Sequence, residues 1–360
     1  MTSFLSTRLA AQDLNASYDV LQSWQSDNTS LRPTTFADGI VYVAGDVSLE
    51  AWDVKTGRRV WSHKLDKGAD FRPRIAGHLV LALGRSYITA LDRKTGHVAW
   101  SMKPERTPGL RFDPVGAPFV HNNHIYLGIG PFMTALDLSG EVVWSHPTEE
   151  KKGIWYAPTT YDDDTVLFGP GDGKLYAMDT DTGATKWVTD NAKKWQYLRQ
   201  LHVSANTIVA GGYKDNLFGV DAQTGKVVWD WYSGNFINSH LVYGDATYLW
   251  SPTGWVYALN AHSGEINWRA KSDYFPKASG KRRPWAPVMA ELVANDAGVY
   301  VLDMKNVLHV LDHQSGTETA AISFEDRLRP FVTLTDVPDE MFLGTNTGKI
   351  LHVKLKNSKP

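Results

Sequence analysis

The chain has 360 residues, of which 42% are hydrophobic and 21% charged, and its formal net charge is −2. A balance this close to neutral argues against a nucleic-acid or anionic-membrane partner, for which a marked basic excess is expected. The sequence contains no cysteine, which excludes disulfides, thiolate metal sites and cysteine nucleophiles.

The N-terminal segment lacks the long apolar core of a secretory signal, and we therefore expect a cytoplasmic protein. Residues 1–17 are predicted to form a leader of low order or with one short helix. The next segment, Tyr18 to Trp24, is predicted to be a single strand that ends in tryptophan. No run of about eighteen apolar residues follows anywhere in the sequence, so no membrane-spanning helix is expected.

A pattern of Asp, Thr-Gly and Trp returns along almost the whole chain and is clearest from Ala90 to Trp100. Its copies end at tryptophans 39 to 44 residues apart, namely Trp61, Trp100, Trp144, Trp187, Trp229 and Trp268. A period of this length, interpreted as four short strands, is typical of a propeller blade. The pattern predicts an all-β fold in which each of these tryptophans packs between neighbouring blades.

Each copy also encodes a tight turn. In the copy around Asp92, the carboxylate is expected to accept hydrogen bonds from backbone N–H groups two or three residues on. Gly96 then supplies a residue that tolerates a positive φ.

The copies predict blades at about residues 31–65, 71–102, 111–146, 154–189, 196–232 and 236–270, followed by a degraded copy from Val310 to Ala320. The last segments, 330–332, 341–343 and 349–354, are predicted to be three more strands. Tyr18 to Trp24 would add the fourth strand of this last blade and so remove two exposed sheet edges. The predicted fold is one eight-bladed β-propeller of four-stranded blades over residues 18–360, closed by the N-terminal strand.

The Ala-x-Asp-x-x-Thr-Gly-x-x-x-Trp units resemble the repeat of the pyrroloquinoline-quinone-like (PQQ-like) propeller family. This family includes quinoprotein dehydrogenases and the propeller lipoprotein of bacterial outer-membrane assembly, so the resemblance implies the fold but not one function. The dehydrogenases hold PQQ beneath two adjacent cysteines and beside a calcium site. Because the sequence has no cysteine and no matching ligand set, neither PQQ nor another cofactor is expected. The lipid-bearing cysteine of the lipoprotein is also missing.

Arginine-proline pairs precede three predicted inner strands, in the adjacent blades 8, 1 and 2. Proline favours an extended conformation in the residue before it, which would hold each arginine at the mouth of the channel. Arginine binds carboxylate or phosphate with paired hydrogen bonds. The predicted anion-binding arginines are Arg32, Arg72, Arg74, Arg111 and Arg329. The alternative is that each arginine pairs with an aspartate of the next blade.

The loops that enter blades 4 to 6 are aromatic and polar, and would face an apolar or flat part of a ligand. The residues predicted to bind it are Trp155, Tyr156, Trp195, Arg199 and Asn238. His202 and His240 are predicted to lie on inner strands, where either could act as a general base with Tyr197 or Asp113 as acid partner. The alternative for both histidines is a hydrogen-bonded position inside the wall. No metal site is expected.

An insertion from Lys271 to Trp285 precedes blade 7 and is rich in lysine and arginine. It is predicted to be a lid that lays Trp285 over a bound anion. The alternative is an ordinary solvated loop.

Two functions follow from these patterns. The first is a small-molecule site at the channel mouth, in a cofactor-independent enzyme such as a cyclase, lyase or isomerase acting on an anionic or aromatic metabolite. The second is a non-catalytic scaffold that binds protein partners. A deep channel mouth would favour the first function, and a plugged face the second.

Overall fold

A computed structural model describes residues 5–9, 17–84, 86–105, 115–149, 152–190, 198, 200–211, 216–233, 239–251, 254–272 and 290–356. Its regular secondary structure is entirely β, with 33 strands among these residues. The same residues contain no helix with the length and apolarity needed to cross a bilayer. The first two strands are β1 (Leu5–Leu9) and β2 (Ser17–Gln25).

Blades 1 to 4 are four-stranded antiparallel sheets, each formed by four consecutive strands. Their strands are β3 (Thr35–Ala37), β4 (Ile40–Ala44), β5 (Ser48–Asp53) and β6 (Arg58–Lys64) in blade 1; β7 (Arg74–Ala76), β8 (Leu79–Gly84), β9 (Tyr87–Asp92) and β10 (Val98–Met102) in blade 2; β11 (Phe119–His121), β12 (His124–Ile129), β13 (Phe132–Leu136) and β14 (Val142–Pro147) in blade 3; and β15 (Thr159–Tyr161), β16 (Thr165–Phe168), β17 (Lys174–Asp179) and β18 (Thr185–Asp190) in blade 4.

Blades 5 to 7 repeat this order, and blade 8 takes three strands from the C-terminal part of the chain. Their strands are β19 (Gln200–Ser204), β20 (Thr207–Gly211), β21 (Asn216–Asp221) and β22 (Val227–Tyr232) in blade 5; β23 (Ser239–Tyr243), β24 (Ala246–Trp250), β25 (Trp255–Asn260) and β26 (Ile266–Ser272) in blade 6; β27 (Val293–Asn295), β28 (Gly298–Leu302), β29 (Val307–Leu311) and β30 (Glu318–Ser323) in blade 7; and β31 (Leu328–Leu334), β32 (Glu340–Thr345) and β33 (Lys349–Lys356) in blade 8. The predicted eight-bladed β-propeller is confirmed.

The chain divides into two compact units, one of residues 26–213 and 220–227, the other of residues 1–25, 214–219 and 228–360. In the first unit the apolar core lies between consecutive blades. Tyr42 and Leu49 of blade 1 pack with Val80 and Leu91 of blade 2. Blades 2 and 3, and blades 3 and 4, share similar clusters of buried side chains. The inner strand β7 contacts β11, and β15 contacts β19.

The second unit is built in the same way. Tyr248 of blade 6 packs with Val299 of blade 7, and Leu308 of blade 7 packs with Val332 of blade 8. Its inner strands are also neighbours, because β23 contacts β27 and β27 contacts β31.

Blade 8 is closed by the N-terminal strand, as predicted. β2 pairs antiparallel with β33 from Ser17 opposite Lys356 to Gln25 opposite Lys349, with one register shift between Val20 and Gln22. The sheet order is β2-β33-β32-β31, so the outermost strand of this blade comes from the start of the chain.

The N-terminal leader differs from its prediction. Residues 5–9 form β1, which pairs in parallel with β26 from Leu5 opposite Trp268 to Leu9 opposite Ser272. Blade 6 is therefore a five-stranded sheet, with β1 outside its usual four strands. Five residues without a repeat pattern give little indication of a strand, so the sequence alone predicts a leader of low order or with one short helix here.

The repeat tryptophans hold neighbouring blades together through one recurring contact. The indole Nε1 of Trp100 donates a hydrogen bond of 2.8 Å to the carbonyl of Leu138 in the next blade. A Cβ atom on Gly140 would lie only 2.7 Å from the nearest atom of this ring, so the contact requires glycine at position 140. The same indole-to-carbonyl bond, of 2.8 to 3.1 Å, is made by Trp61, Trp144, Trp187, Trp229 and Trp268. The predicted packing role of these tryptophans is confirmed.

The predicted turns are also present. Asp92 Oδ1 accepts hydrogen bonds from the backbone N–H and the hydroxyl of Thr95, both of 2.9 Å. Gly96 follows with φ +71°. The turn glycine therefore has two duties, since it adopts a positive φ and leaves room for the tryptophan of the preceding blade.

Candidate functional site

Arg32 is held by the chain between blades 1 and 2. Its Nε donates a hydrogen bond of 2.7 Å to the carbonyl of Ala69, and its Nη2 lies 3.5 Å from Asp70 Oδ1. The contact with Asp70 agrees with the alternative interpretation of the arginines, in which the side chain pairs with an aspartate that leads into the next blade. A ligand role for Arg32 stays a prediction.

The other two arginine-proline pairs occupy different positions relative to their inner strands, whereas the sequence pattern predicts the same position for both. Arg72 precedes β7 and Arg74 begins it, and both are half-buried with contacts of their own. Arg329 is the second residue of β31, so Pro330 lies inside this strand and does not begin it. The strand accommodates the proline because its pairing with β32 is irregular between Leu328 and Val332.

Both candidate histidines lie on inner strands, as predicted. His202 is in β19, opposite Val209, and is half-buried. His240 is in β23, opposite Leu249, and is buried. Each has interaction partners within the protein. This is compatible with a position inside the wall, and a role as general base stays a prediction for both.

Trp155 and Tyr156 lie in the loop before β15, half-buried and in contact with other residues. The carbonyl of Trp155 accepts a hydrogen bond of 3.2 Å from the backbone N–H of Ala117, which joins this loop to the one before blade 3. The remaining predicted site residues lie outside the described residues: Arg111, Asp113, Trp195, Tyr197, Arg199, Asn238 and Trp285. So does most of the predicted lid.

Blade 1 contains a buried carboxylate that the repeat pattern does not predict. Glu50 has no exposed surface, and its Oε1 accepts hydrogen bonds of 2.8 to 2.9 Å from the hydroxyls of Ser26 and Ser48 and from the backbone N–H of Asp27. Its Oε2 accepts one of 2.8 Å from the indole of Trp52. These donors satisfy the charge and fix residues 26–28 against the blade, which indicates a structural carboxylate.

A second buried polar cluster lies in blade 7. His309 is fully buried, with Nδ1 2.5 Å from Glu318 Oε1 and Nε2 3.4 Å from Asp303 Oδ2. Burial lowers the pKa of His309, but the two carboxylates outweigh this effect and raise it to about 9. The histidine is therefore a cation at neutral pH, held between two anions.

A crevice of about 310 Å³ opens between the outer strands of blades 1 and 2. Its basic residues are His63, Lys64, Lys67 and Lys103, and Asp66 is its one acidic residue. Tyr87 forms part of its wall and donates a short hydrogen bond to the carbonyl of Gly68. These residues belong to strand ends and turns, so the repeat pattern gave no reason to group them.

The outermost strands carry exposed aliphatic side chains. Val142 and Val228 are each 55% exposed, and Tyr232 is 63% exposed. We use the name valine rim for this set of exposed side chains, which comprises Val60, Val98, Val142, Val143, Val188, Val227, Val228 and Tyr232. Apart from β26, the outer strands of blades 1 to 7 pair on one side only within the described part of the chain.

No group of three or more histidine, aspartate or glutamate residues able to hold a metal ion is found within the described ranges. The candidate features on these residues are thus the basic crevice, the valine rim and the individual side chains predicted from the sequence.

The repeated tryptophan contact and the eight blades define the class of protein as a propeller with PQQ-like repeats. The profile of the family described as outer membrane protein assembly factor BamB matches residues 21–160 and 171–329. The chain belongs to this family.

The relatives include both assembly factors and enzymes. BamB of Burkholderia pseudomallei is 25% identical over 349 residues, which cover 78% of this chain and 87% of the relative. The quinoprotein alcohol dehydrogenase PedH of Pseudomonas putida is 26% identical over 256 residues, which cover 65% of this chain. The chain spans only 38% of the length of PedH.

Solved structures share the fold at lower identity. BamB from Moraxella catarrhalis superposes with a TM-score of 0.69 at 18% identity, covering 94% of this chain and 100% of that structure. The computationally designed Ika8 protein superposes with a TM-score of 0.75 at 15% identity, covering 93% of this chain and 99% of that structure.

Proposed function

We propose that this chain is a non-catalytic scaffold that binds other proteins through the outer strands of its blades. The family it belongs to is described as an assembly factor. The match to the Burkholderia BamB extends over 87% of that relative, whereas the match to the dehydrogenase PedH covers 38%. Because the similarity extends over most of the length of BamB and over less than half of PedH, it favours the assembly-factor function over the enzymatic one.

The observation that carries this proposal is the valine rim. Exposed valines on outermost strands combine apolar side chains with backbone groups on an open sheet edge, which is a surface suited to pairing with another chain. Within the unit of residues 26–213 and 220–227 the exposed valines recur on the outer strands of successive blades, so a partner that contacts more than one blade would gain from each contact.

Small-molecule binding is a second candidate function, favoured by the basic crevice. Lys64, Lys67 and Lys103 line it, and its lining has only one acidic side chain, that of Asp66. An anionic ligand would supply the missing charge. The cofactor-independent enzyme predicted from the sequence, and its location in the cytoplasm, remain proposals of the same kind.

Photo-crosslinking separates the two functions. A photoreactive amino acid placed at Val143 or Val228 should give the same partner adduct in the source cells, and Val228→Asp should reduce the adduct formed from Val143. The same probe at Lys94, which lies on an exposed turn, should give none. Thermal stability is then measured against a library of aromatic acids, because a ligand specific for the folded state raises the melting temperature with its concentration. A ligand-dependent rise without rim adducts would overturn the scaffold proposal.

A further inference from the structure

The outer edge of blade 6 already holds an added strand. β1 pairs with β26 in parallel over five positions, and the other blades have four strands each. Blade 6 without β1 has the same four strands, β23 to β26, that make a complete blade elsewhere. β1 is therefore surplus to the architecture, and its place on β26 is a strand-accepting edge.

We propose that this edge is a docking site for an extended segment of another polypeptide, which adds to β26 as a parallel strand in place of Leu5–Leu9. This proposal rests on the scaffold function and names the blade and the kind of partner. β1, which belongs to the same chain, shows that this edge accepts a parallel strand, since five consecutive residues pair with Trp268 to Ser272. Backbone hydrogen bonds would give the affinity, as they do in other strand-addition complexes.

The acceptor strand does not depend on β1 for its own structure. On its other side β26 pairs antiparallel with β25, from Trp255 opposite Lys271 to Leu259 opposite Ile266. Arg269 and Lys271 lie over the ring of Trp255, at 4.4 and 5.4 Å from its centroid. The edge is thus preorganised for a strand, which lowers the entropic cost of binding one.

The two N-terminal strands differ in how firmly they are held. β2 is antiparallel, pairs at eight positions and completes a blade that otherwise has three strands. β1 is parallel, pairs at five positions and completes nothing. Parallel pairing is slightly less stable per residue, and a short ladder has few bonds to break. β1 is the strand that a partner can displace.

The test compares the parent chain with a full-length Ser6→Pro/Thr7→Pro variant. Two consecutive prolines remove β1 from the ladder whichever N–H groups point at β26. The probe is a fluorescein-labelled peptide with the sequence of residues 1–13, and its binding is followed by anisotropy. The variant should bind it at least about tenfold tighter, because the tethered β1 competes in the parent. The same peptide with both prolines should bind neither chain.

Hydrogen exchange locates the bound peptide. Amides of Trp268 to Ser272 should exchange faster in the proline variant and recover protection when the peptide is added. Ser23→Pro in β2 is the matched control: it should lower the melting temperature, because β2 completes blade 8, and it should bind the 1–13 peptide no more tightly than the parent, because β1 still occupies β26. Equal binding to parent and variant, or no binding to the variant, would overturn the proposal.

Size-exclusion chromatography with light scattering gives the remaining outcome. A parent dimer that the two prolines convert to a monomer would identify the occupant as β1 of a second copy and overturn the assignment to a different polypeptide. If the docking proposal for β26 fails, the scaffold function can still be tested, because the crosslinked adducts at Val143 and Val228 involve blades 3 and 5 and not β26.

Discussion

His309 Nδ1 and Glu318 Oε1 lie 2.5 Å apart and join the adjacent strands β29 and β30 inside blade 7. Asp303 approaches the other ring nitrogen at 3.4 Å. All three side chains are buried, so a neutral histidine would leave two carboxylates without a cation between them.

This relationship predicts a loss of stability at alkaline pH. The pKa of His309 is raised from 6.5 to about 9 in the folded protein. Its stabilising contribution is therefore complete below about pH 6.5 and is lost as the pH rises through about 9. The free energy of unfolding, measured in urea at intervals from pH 6 to 9.5, should fall across this range. His309→Gln should flatten that dependence, whereas His97→Gln, on an exposed turn, should leave it unchanged. A parental slope that survives in His309→Gln would refute the assignment.

The contact between Trp100 and Gly140 predicts that adding one methyl group is costly. Gly140→Ala must adopt φ +87° and place its Cβ 2.7 Å from the indole ring. We expect a loss of about 3 kcal/mol in unfolding free energy, from strain and crowding together. Gly39→Ala is the control, because its φ is +75° but no atom lies within 4 Å of the new Cβ. It should cost only about 1 kcal/mol.

Trp100→Ala should lower the unfolding free energy by about 3 kcal/mol in the same denaturant experiment. Combined with Gly140→Ala, it should cost less than the sum of the single changes, because the crowding disappears with the ring. Strictly additive effects would show that the ring and the glycine do not interact.

Arg32 should behave as a structural residue. Arg32→Ala removes the hydrogen bond to Ala69 and the pairing with Asp70, and we expect a loss of about 1 to 2 kcal/mol in unfolding free energy. Arg327→Ala, at an exposed position, should change stability by less than about 0.5 kcal/mol. If Arg32→Ala melts like the parent, the guanidinium is available for the ligand role predicted from the sequence.

The turn aspartates predict acid sensitivity. The backbone N–H and then the hydroxyl of Thr95 lower the pKa of Asp92 below 3.8, and similar hydrogen bonds lower that of Asp179 and Asp221. Their contribution is present above about pH 4 and is lost as the pH falls through the depressed values. Asp92→Asn should therefore reduce the drop in melting temperature between pH 5 and 3. Asp66→Asn, in an exposed loop, should not; an equal effect of both changes would contradict the assignment.

The fold could be predicted from the sequence because its determinants are local. Asp92, Thr95 and Gly96 form a turn within five residues, and the spacing from each turn to its tryptophan repeats. Even the closure of blade 8 was predictable, since Tyr18 to Trp24 has the pattern of an outer strand and the last three strands lack one. These signals survive without an alignment because each repeat serves as a copy of the others.

The polar clusters and the edge of blade 6 could not be predicted in the same way. His309 and Glu318 are on different strands, and which carboxylate meets the histidine depends on strand register. The partners of Arg32 come from a linker 37 residues away. β1 pairs with β26 over five positions, and a segment this short has no repeat pattern from which to predict a strand. Non-local contacts of this kind depend on the folded backbone, whereas the repeat pattern reports only on each blade.

Blade 8 also sets the order in which a nascent chain can fold. Gln25 in β2 donates a hydrogen bond to Thr347, 322 residues further along the chain. A ribosome that adds 5 to 20 residues per second needs roughly 20 to 60 seconds to travel between β2 and β33. During that interval β2, with its exposed Val20 and Leu21, has no strand of its own blade to pair with. Messages truncated before β33 should therefore yield chains that stay bound to chaperones, even when the earlier blades have formed.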